Sequence, residues 1–201
     1  GMASIPASIY EATRLDGAWA VFGYAPGRGT YRGEARIADA GNAELKLTGS
    51  VTYADGTAET FAGDGTLYGG TALRTRTSNN GFASRGAFIV SGDEIRGEWH
   101  LPAPDFRTSS SRWIRLGDQP KVARIVPGFL LAGEKTTLRV EGVNLPDARA
   151  TDVAFAGGAV KVLGVRRAAP GALDLTVVSS APDMPGATAA SVGAPVMAMP
   201  P

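Results

Sequence analysis

The sequence predicts two all-β domains in tandem: an up-and-down antiparallel β-barrel of about eight strands over residues 17–117, then an immunoglobulin-like (early-set) β-sandwich over 121–195. Three observations carry this. Apolar and polar residues alternate with a period of two, turn residues recur at regular spacing, and the pattern changes at Pro120. Residues 1–16 read as a lead-in and 196–201 as a loose tail.

In the first domain, Tyr31, Gly33, Ala35 and Ile37 share one face while Arg32, Glu34 and Arg36 share the other. Leu45, Leu47, Gly49, Val51 and Tyr53 repeat the pattern, opposed by Glu44, Lys46, Thr48, Ser50 and Thr52. Apolar-in, polar-out alternation marks a half-buried antiparallel strand. Pro26-Gly27, Gly41-Asn42, Asp55-Gly56, Asn80-Gly81 and Gly92-Asp93 supply tight reversals between strands. Strands are expected near 18–24, 29–38, 43–53, 58–68, 71–77, 84–91, 94–101 and 111–116. Strand glycines at 33, 49, 63, 65, 86 and 97 point to a tightly coiled barrel in which bulky side chains would clash. Trp19, Phe22, Trp99 and Trp113 are the expected barrel core, or the lining of a ligand pocket.

The second domain opens with a short strand at Val122–Val126 and continues with alternation over Thr136–Gly142. A kinked connection through Asn144 and Pro146 follows, then strands near 152–156, 159–167, 172–179 and 187–193. With no cysteine pair and no core tryptophan, an antibody-type domain is excluded.

Composition narrows the function classes. Of 201 residues, 44% are hydrophobic and 19% charged, so the chain is globular. Twenty basic residues against 19 acidic ones, without a basic stripe, argue against a nucleic-acid binder. Arg124, Arg139, Arg149, Arg166 and Arg167 read as solvated strand faces and loops. No apolar run approaches the ~18 residues of a membrane span. No signal peptide is visible, and Gly1 before Met2 reads as a tag-removal scar, leaving room upstream for a signal peptide or another domain. Zero cysteines exclude disulfides, zinc–thiolate sites, iron–sulfur clusters and haem attached through Cys-x-x-Cys-His.

The search for chemistry finds no complete site. His100, the single histidine, could pair with Glu98 or Asp105 as an acid–base couple, yet it shares the polar face of its strand with Glu98. Ser109, Ser110 and Ser111 lack a Gly-x-Ser-x-Gly elbow and read as a flexible loop after Pro102 and Pro104. Asp93-Glu94 sits at a hairpin turn, and Gly63-Asp64-Gly65 lacks the lysine and helix of a phosphate loop.

Two resemblances add to this reading. Gly17-Ala18-Trp19 on the first strand with Arg115 on the last resembles lipocalin-type barrels, which close with an arginine over that tryptophan and bind small ligands. A more extensive pattern runs through the barrel as Trp19, Pro26-Gly27-Arg28-Gly29-Thr30-Tyr31-Arg32-Gly33, Gly63-Asp64-Gly65-Thr66-Leu67-Tyr68-Gly69-Gly70 and Arg96-Gly97-Glu98-Trp99. It continues beyond as Val126-Pro127, Gly142-Val143-Asn144-Leu145-Pro146 and Asp152-Val153-Ala154-Phe155. The order of these features resembles the two middle domains of the quinohemoprotein amine dehydrogenase α subunit, a streptavidin-like barrel followed by an immunoglobulin-like domain.

That resemblance implies a periplasmic scaffold, either part of a longer subunit or a shorter homologue without haem. Its partners would be other amine dehydrogenase subunits or domains. In the family the haem c groups lie in a separate cytochrome domain, the quinone cofactor on a small subunit, and a β-propeller subunit completes the enzyme. No cofactor is expected in this chain. The alternative is a small-ligand-binding barrel unrelated to amine oxidation.

Overall fold

Alternating strands with one apolar face are stable only when that face is covered, and the first eight strands achieve this by closing on themselves. The computed structural model describes residues 14–102, 107–181 and 190–192. It divides into two units, at Leu116 and Gly117.

The first unit comprises β1 (Gly17–Ala25), β2 (Gly29–Gly41), β3 (Glu44–Tyr53), β4 (Ala58–Tyr68), β5 (Ala72–Asn79), β6 (Phe82–Ser91), β7 (Glu94–His100) and β8 (Thr108–Arg115). Each strand pairs antiparallel with the next, and β8 returns to β1 with Val21 opposite Trp113, so the barrel is closed. The β5–β6 reversal needs positive φ at two successive residues, Asn80 (47°) and Gly81 (89°), which asparagine and glycine tolerate best.

The glycines do what the pattern suggested. A Cβ at Gly33 would lie 1.9 Å from the Ser50 carbonyl oxygen, and one at Gly63 would lie 2.0 Å from that of Arg76. Neighbouring strands therefore cross there more closely than any side chain permits. Gly49 and Gly86 act differently, leaving the space taken by the rings of Phe61 and Phe88.

Ser109, Ser110 and Ser111 belong to β8 and not to a flexible loop. The strand gains enough to include them, because Ser111 is buried and accepts a 2.8 Å hydrogen bond from the Trp113 indole N–H. Asp105, the other candidate partner of His100, lies outside the described residues.

The second unit contains a four-stranded sheet, ordered β12-β13-β10-β9, and a two-stranded sheet, β11-β14. Its strands are β9 (Lys121–Val126), β10 (Lys135–Val143), β11 (Val153–Phe155), β12 (Val160–Ala169), β13 (Ala172–Ser179) and β14 (Ala190–Val192). The remainder of the strand expected at 187–193, and the tail 194–201, lie outside the described residues. This layout is consistent with a barrel followed by an immunoglobulin-like unit. Its core gathers Leu138, Val140, Leu173, Leu175, Val177 and Phe155.

Four of the five arginines of this unit, all but the half-buried Arg124, lie on exposed strand faces and loops as expected, and all five are ion-paired. Arg139 on β10 and Arg166 on the edge strand β12 flank Asp174 of β13 at 2.8 and 2.6 Å. Arg124 pairs with Glu141, Arg149 with Asp152 and Arg167 with Asp147. Cross-strand register brings Arg124 to Glu141 and sets Arg139 and Arg166 on either side of Asp174, and register is invisible in composition. Hydrogen bonds from Arg139, then its positive charge and that of Arg166, hold the Asp174 carboxyl below its ordinary range.

A candidate ligand cavity at the barrel mouth

Inward side chains divide the barrel into a sealed base, an aromatic middle and an open mouth. At the base Trp19 is fully buried, and its indole N–H donates to the Leu15 carbonyl at 2.9 Å. Arg115 lies over this ring, 4.4 Å from guanidinium carbon to centroid. Its guanidinium also donates to the carbonyls of Asp16 (2.8 Å) and Arg14, and to the Asp93 carboxylate (2.9 Å). The arginine thus fastens the lead-in across the end of the barrel, the arrangement that Gly17-Ala18-Trp19 and Arg115 suggested.

The middle is solid. Phe61, Phe88, Trp99 and Trp113 pack in a pile whose ring centroids lie 5.0 to 6.1 Å apart. Such tilted and edge-on pairs each add about 0.5–1.5 kcal/mol beyond the area they bury.

Above the pile the barrel is hollow. A cavity of about 450 Å³ lies between Val21, Val51, Tyr31, Tyr53, Phe61 and Trp99. Arg28, from the β1–β2 turn, stacks on Tyr53 with its guanidinium carbon 3.5 Å from the ring centroid. The same guanidinium forms an ion pair with Glu59 and donates to Thr57 Oγ1 at 3.0 Å. Tyr53 Oη donates to the other Glu59 oxygen at 3.2 Å. Burial first, and then the Glu59 charge, push the Tyr53 phenol up to about 12. Opposite, the hydroxyls of Thr77 and Ser84 lie 2.8 Å apart and both face Asn79 Oδ1, at 3.1 and 3.3 Å.

Of the four aromatic residues singled out from the sequence, Trp99 lines this cavity, Trp113 lies deeper in the pile, and Trp19 closes the base. Phe22 joins none of them. It falls out of phase with Trp19 and Val21, stands opposite Arg32 and Arg112, and so leaves the outer face, where it is nonetheless buried. Sequence reasoning passed over Arg28, Glu59 and Asn79. A signal existed for Glu59, which shares the inward phase of Phe61 and Gly63 on β4.

His100 and Glu98 project from the outer wall, 3.8 Å apart, with side chains 47% and 56% exposed. Thr108 Oγ1 lies 3.3 Å from Nδ1 of this ring, and Ser110 stands opposite Glu98 on the same outer face. Ser109 and Ser111 pair with Trp99 and Gly97 and so face the interior, away from His100. Among the described residues, no three His, Asp or Glu side chains converge as metal ligands. Covalent c-type haem does not fit this chain, which has no cysteine and one exposed histidine. Among the described residues, no helix is long and apolar enough to cross a membrane.

No curated protein matches the chain. Among solved structures it is similar to a redesigned β-barrel, mFAP1, bound to DFHBI, at 17% identity and a TM-score of 0.47, over 56% of this chain and 100% of that one. It is also similar to a de novo designed fluorescence-activating β-barrel, at 18% identity and a TM-score of 0.44, over 56% and 100%. Family models give a more specific result. Residues 12–110 match domain II of the quinohemoprotein amine dehydrogenase α subunit, and residues 119–200 match domain III. Two models in tandem over most of the sequence show that the chain belongs to the quinohemoprotein amine dehydrogenase α-subunit family and carries its domains II and III.

Proposed function

We propose that the chain is a non-catalytic structural and subunit-docking module of a periplasmic amine dehydrogenase-type assembly, in which haem and quinone chemistry reside in other domains or subunits. One observation carries the docking role. Arg76 of β5 stands directly opposite Arg85 of β6, which in turn stands opposite His100 of β7. Arg74 lies two residues along the same exposed face. None of these three arginines has a carboxylate within ion-pair distance among the described residues.

All five arginines of the second unit, by contrast, have such a partner. Like charges directly opposed across a strand pair cost roughly 0.2–1 kcal/mol. An acidic partner surface would remove that cost and supply the missing counter-charges. The His100–Glu98 pair is exposed on the outer wall, with no hydrogen bond to the Ser110 hydroxyl opposite Glu98, which supports the absence of chemistry in the chain itself.

The test mixes the chain with the family's β-propeller subunit and measures association by sedimentation at low and high salt. The wild-type chain is expected to form a complex that weakens as salt rises. A variant carrying Arg74→Glu, Arg76→Glu and Arg85→Glu is expected to form none, while the control Arg36→Glu binds normally. Absence of a complex with the wild-type chain, or equal binding by the triple variant, overturns the reading.

A further inference from the structure

We propose that the cavity at the barrel mouth is a binding site for a neutral, planar aromatic molecule bearing a hydrogen-bond acceptor. Four features of the cavity define this class. Its volume of about 450 Å³ falls within the range of small-molecule sites. Its floor is the exposed side of the aromatic pile, where Phe61 and Trp99 offer ring surface to a flat ligand.

The charged groups at the mouth already have partners. Arg28 and Glu59 neutralise each other, and Tyr53 holds the second Glu59 oxygen. Arg107, also along the wall, is engaged as well. An ionic ligand would surrender its hydration and compete with these existing contacts for a counter-charge, whereas a neutral one leaves the network intact.

The remaining polar capacity includes two open N–H donors. Asn79 Oδ1 is turned toward the Thr77 and Ser84 hydroxyls, which leaves Nδ2 as the donating end of the amide. The Trp99 indole N–H has no hydrogen-bond partner among the described residues. Both side chains line the cavity, so a carbonyl or ether oxygen on the ligand would satisfy donors that the protein leaves open.

This inference is independent of the docking reading, since the cavity is inside the barrel and the arginine cluster outside. A matched naphthalene series tests it by ¹H–¹⁵N NMR on the whole chain. The probes are 2-acetylnaphthalene (neutral, with an acceptor), naphthalene, 2-naphthoate and 2-naphthylmethylammonium. Of the three tryptophan indole signals, that of Trp99 should shift with 2-acetylnaphthalene while that of Trp19, bonded to Leu15, stays fixed. The two charged probes should bind at least about tenfold more weakly.

Ala25→Trp, which fills the mouth, should abolish binding while the Trp19 signal confirms the fold. Asn79→Ala should weaken 2-acetylnaphthalene about tenfold and leave naphthalene unchanged. Absence of any Trp99 shift at the solubility limit overturns the site. Equal binding of a charged probe, or a Trp19 shift without a Trp99 shift, overturns the ligand class or the location.

Discussion

Both ends of the barrel place an arginine over an aromatic ring, yet one end is sealed and the other is hollow. At the base, Arg115 covers Trp19 and turns its donors onto backbone carbonyls of the lead-in, so the guanidinium ties chain to chain. At the mouth, Arg28 covers Tyr53 and turns its donors onto side chains, Glu59 and Thr57, which bring no backbone across the opening. The same cation–π contact thus closes one end and only rims the other. What differs is whether a segment of chain is available to be fastened down.

The largest test of this contrast compares tryptophans. Trp19→Ala should cost about 3–5 kcal/mol, since a fully enclosed ring leaves a cavity that cannot collapse. Trp99→Ala should cost less, on the order of 2–3 kcal/mol, because one side of that ring already borders open space. Equal losses in urea unfolding would erase the difference between the two ends.

The arginines give the next, smaller effect. Arg115→Ala should destabilise by about 1–2 kcal/mol, because charge-assisted bonds to two carbonyls and to Asp93 are lost together. Arg28→Ala should stay within about 1 kcal/mol, the usual worth of a partly exposed ion pair. Measured in the same denaturant series, a larger loss for Arg28→Ala would mean that the mouth, too, is structural.

The smallest effect is read by alkaline titration. Tyr53 has a folded-state value raised from 10.0 to about 12, so its contribution to stability is whole below pH 10 and is lost as pH rises toward 12. Phenolate absorbance should show one tyrosine ionising late. Glu59→Gln, which removes the neighbouring negative charge, should bring that transition to lower pH. An unchanged titration would detach Tyr53 from the network at the mouth.

The barrel was largely legible from the chain, because period-two alternation and glycine turns are local properties. β2, β3 and β4 fall within a few residues of expectation for that reason. β8 was misjudged at its start, where three serines carry no apolar signal of their own. Ser111 is held in the strand by Trp113 and by its pairing with Gly23 and Gly97, which only register supplies. The site was less legible still. Glu59 and Arg28 are 31 positions apart and meet only because β1–β2 and β4 open on the same end of the barrel.

By itself the sequence determined the all-β class, the tandem order of two patterns, and the exclusion of haem attached through cysteines. Each follows from residue type and spacing along one strand. Tertiary structure decided which face each aromatic side chain takes, sending Phe22 outward and Trp99 to the cavity wall. It also decided which arginines find carboxylates, and that the barrel is packed at its base and hollow at its mouth. Those outcomes depend on which strands close together and in what register, and register joins residues that the chain holds far apart.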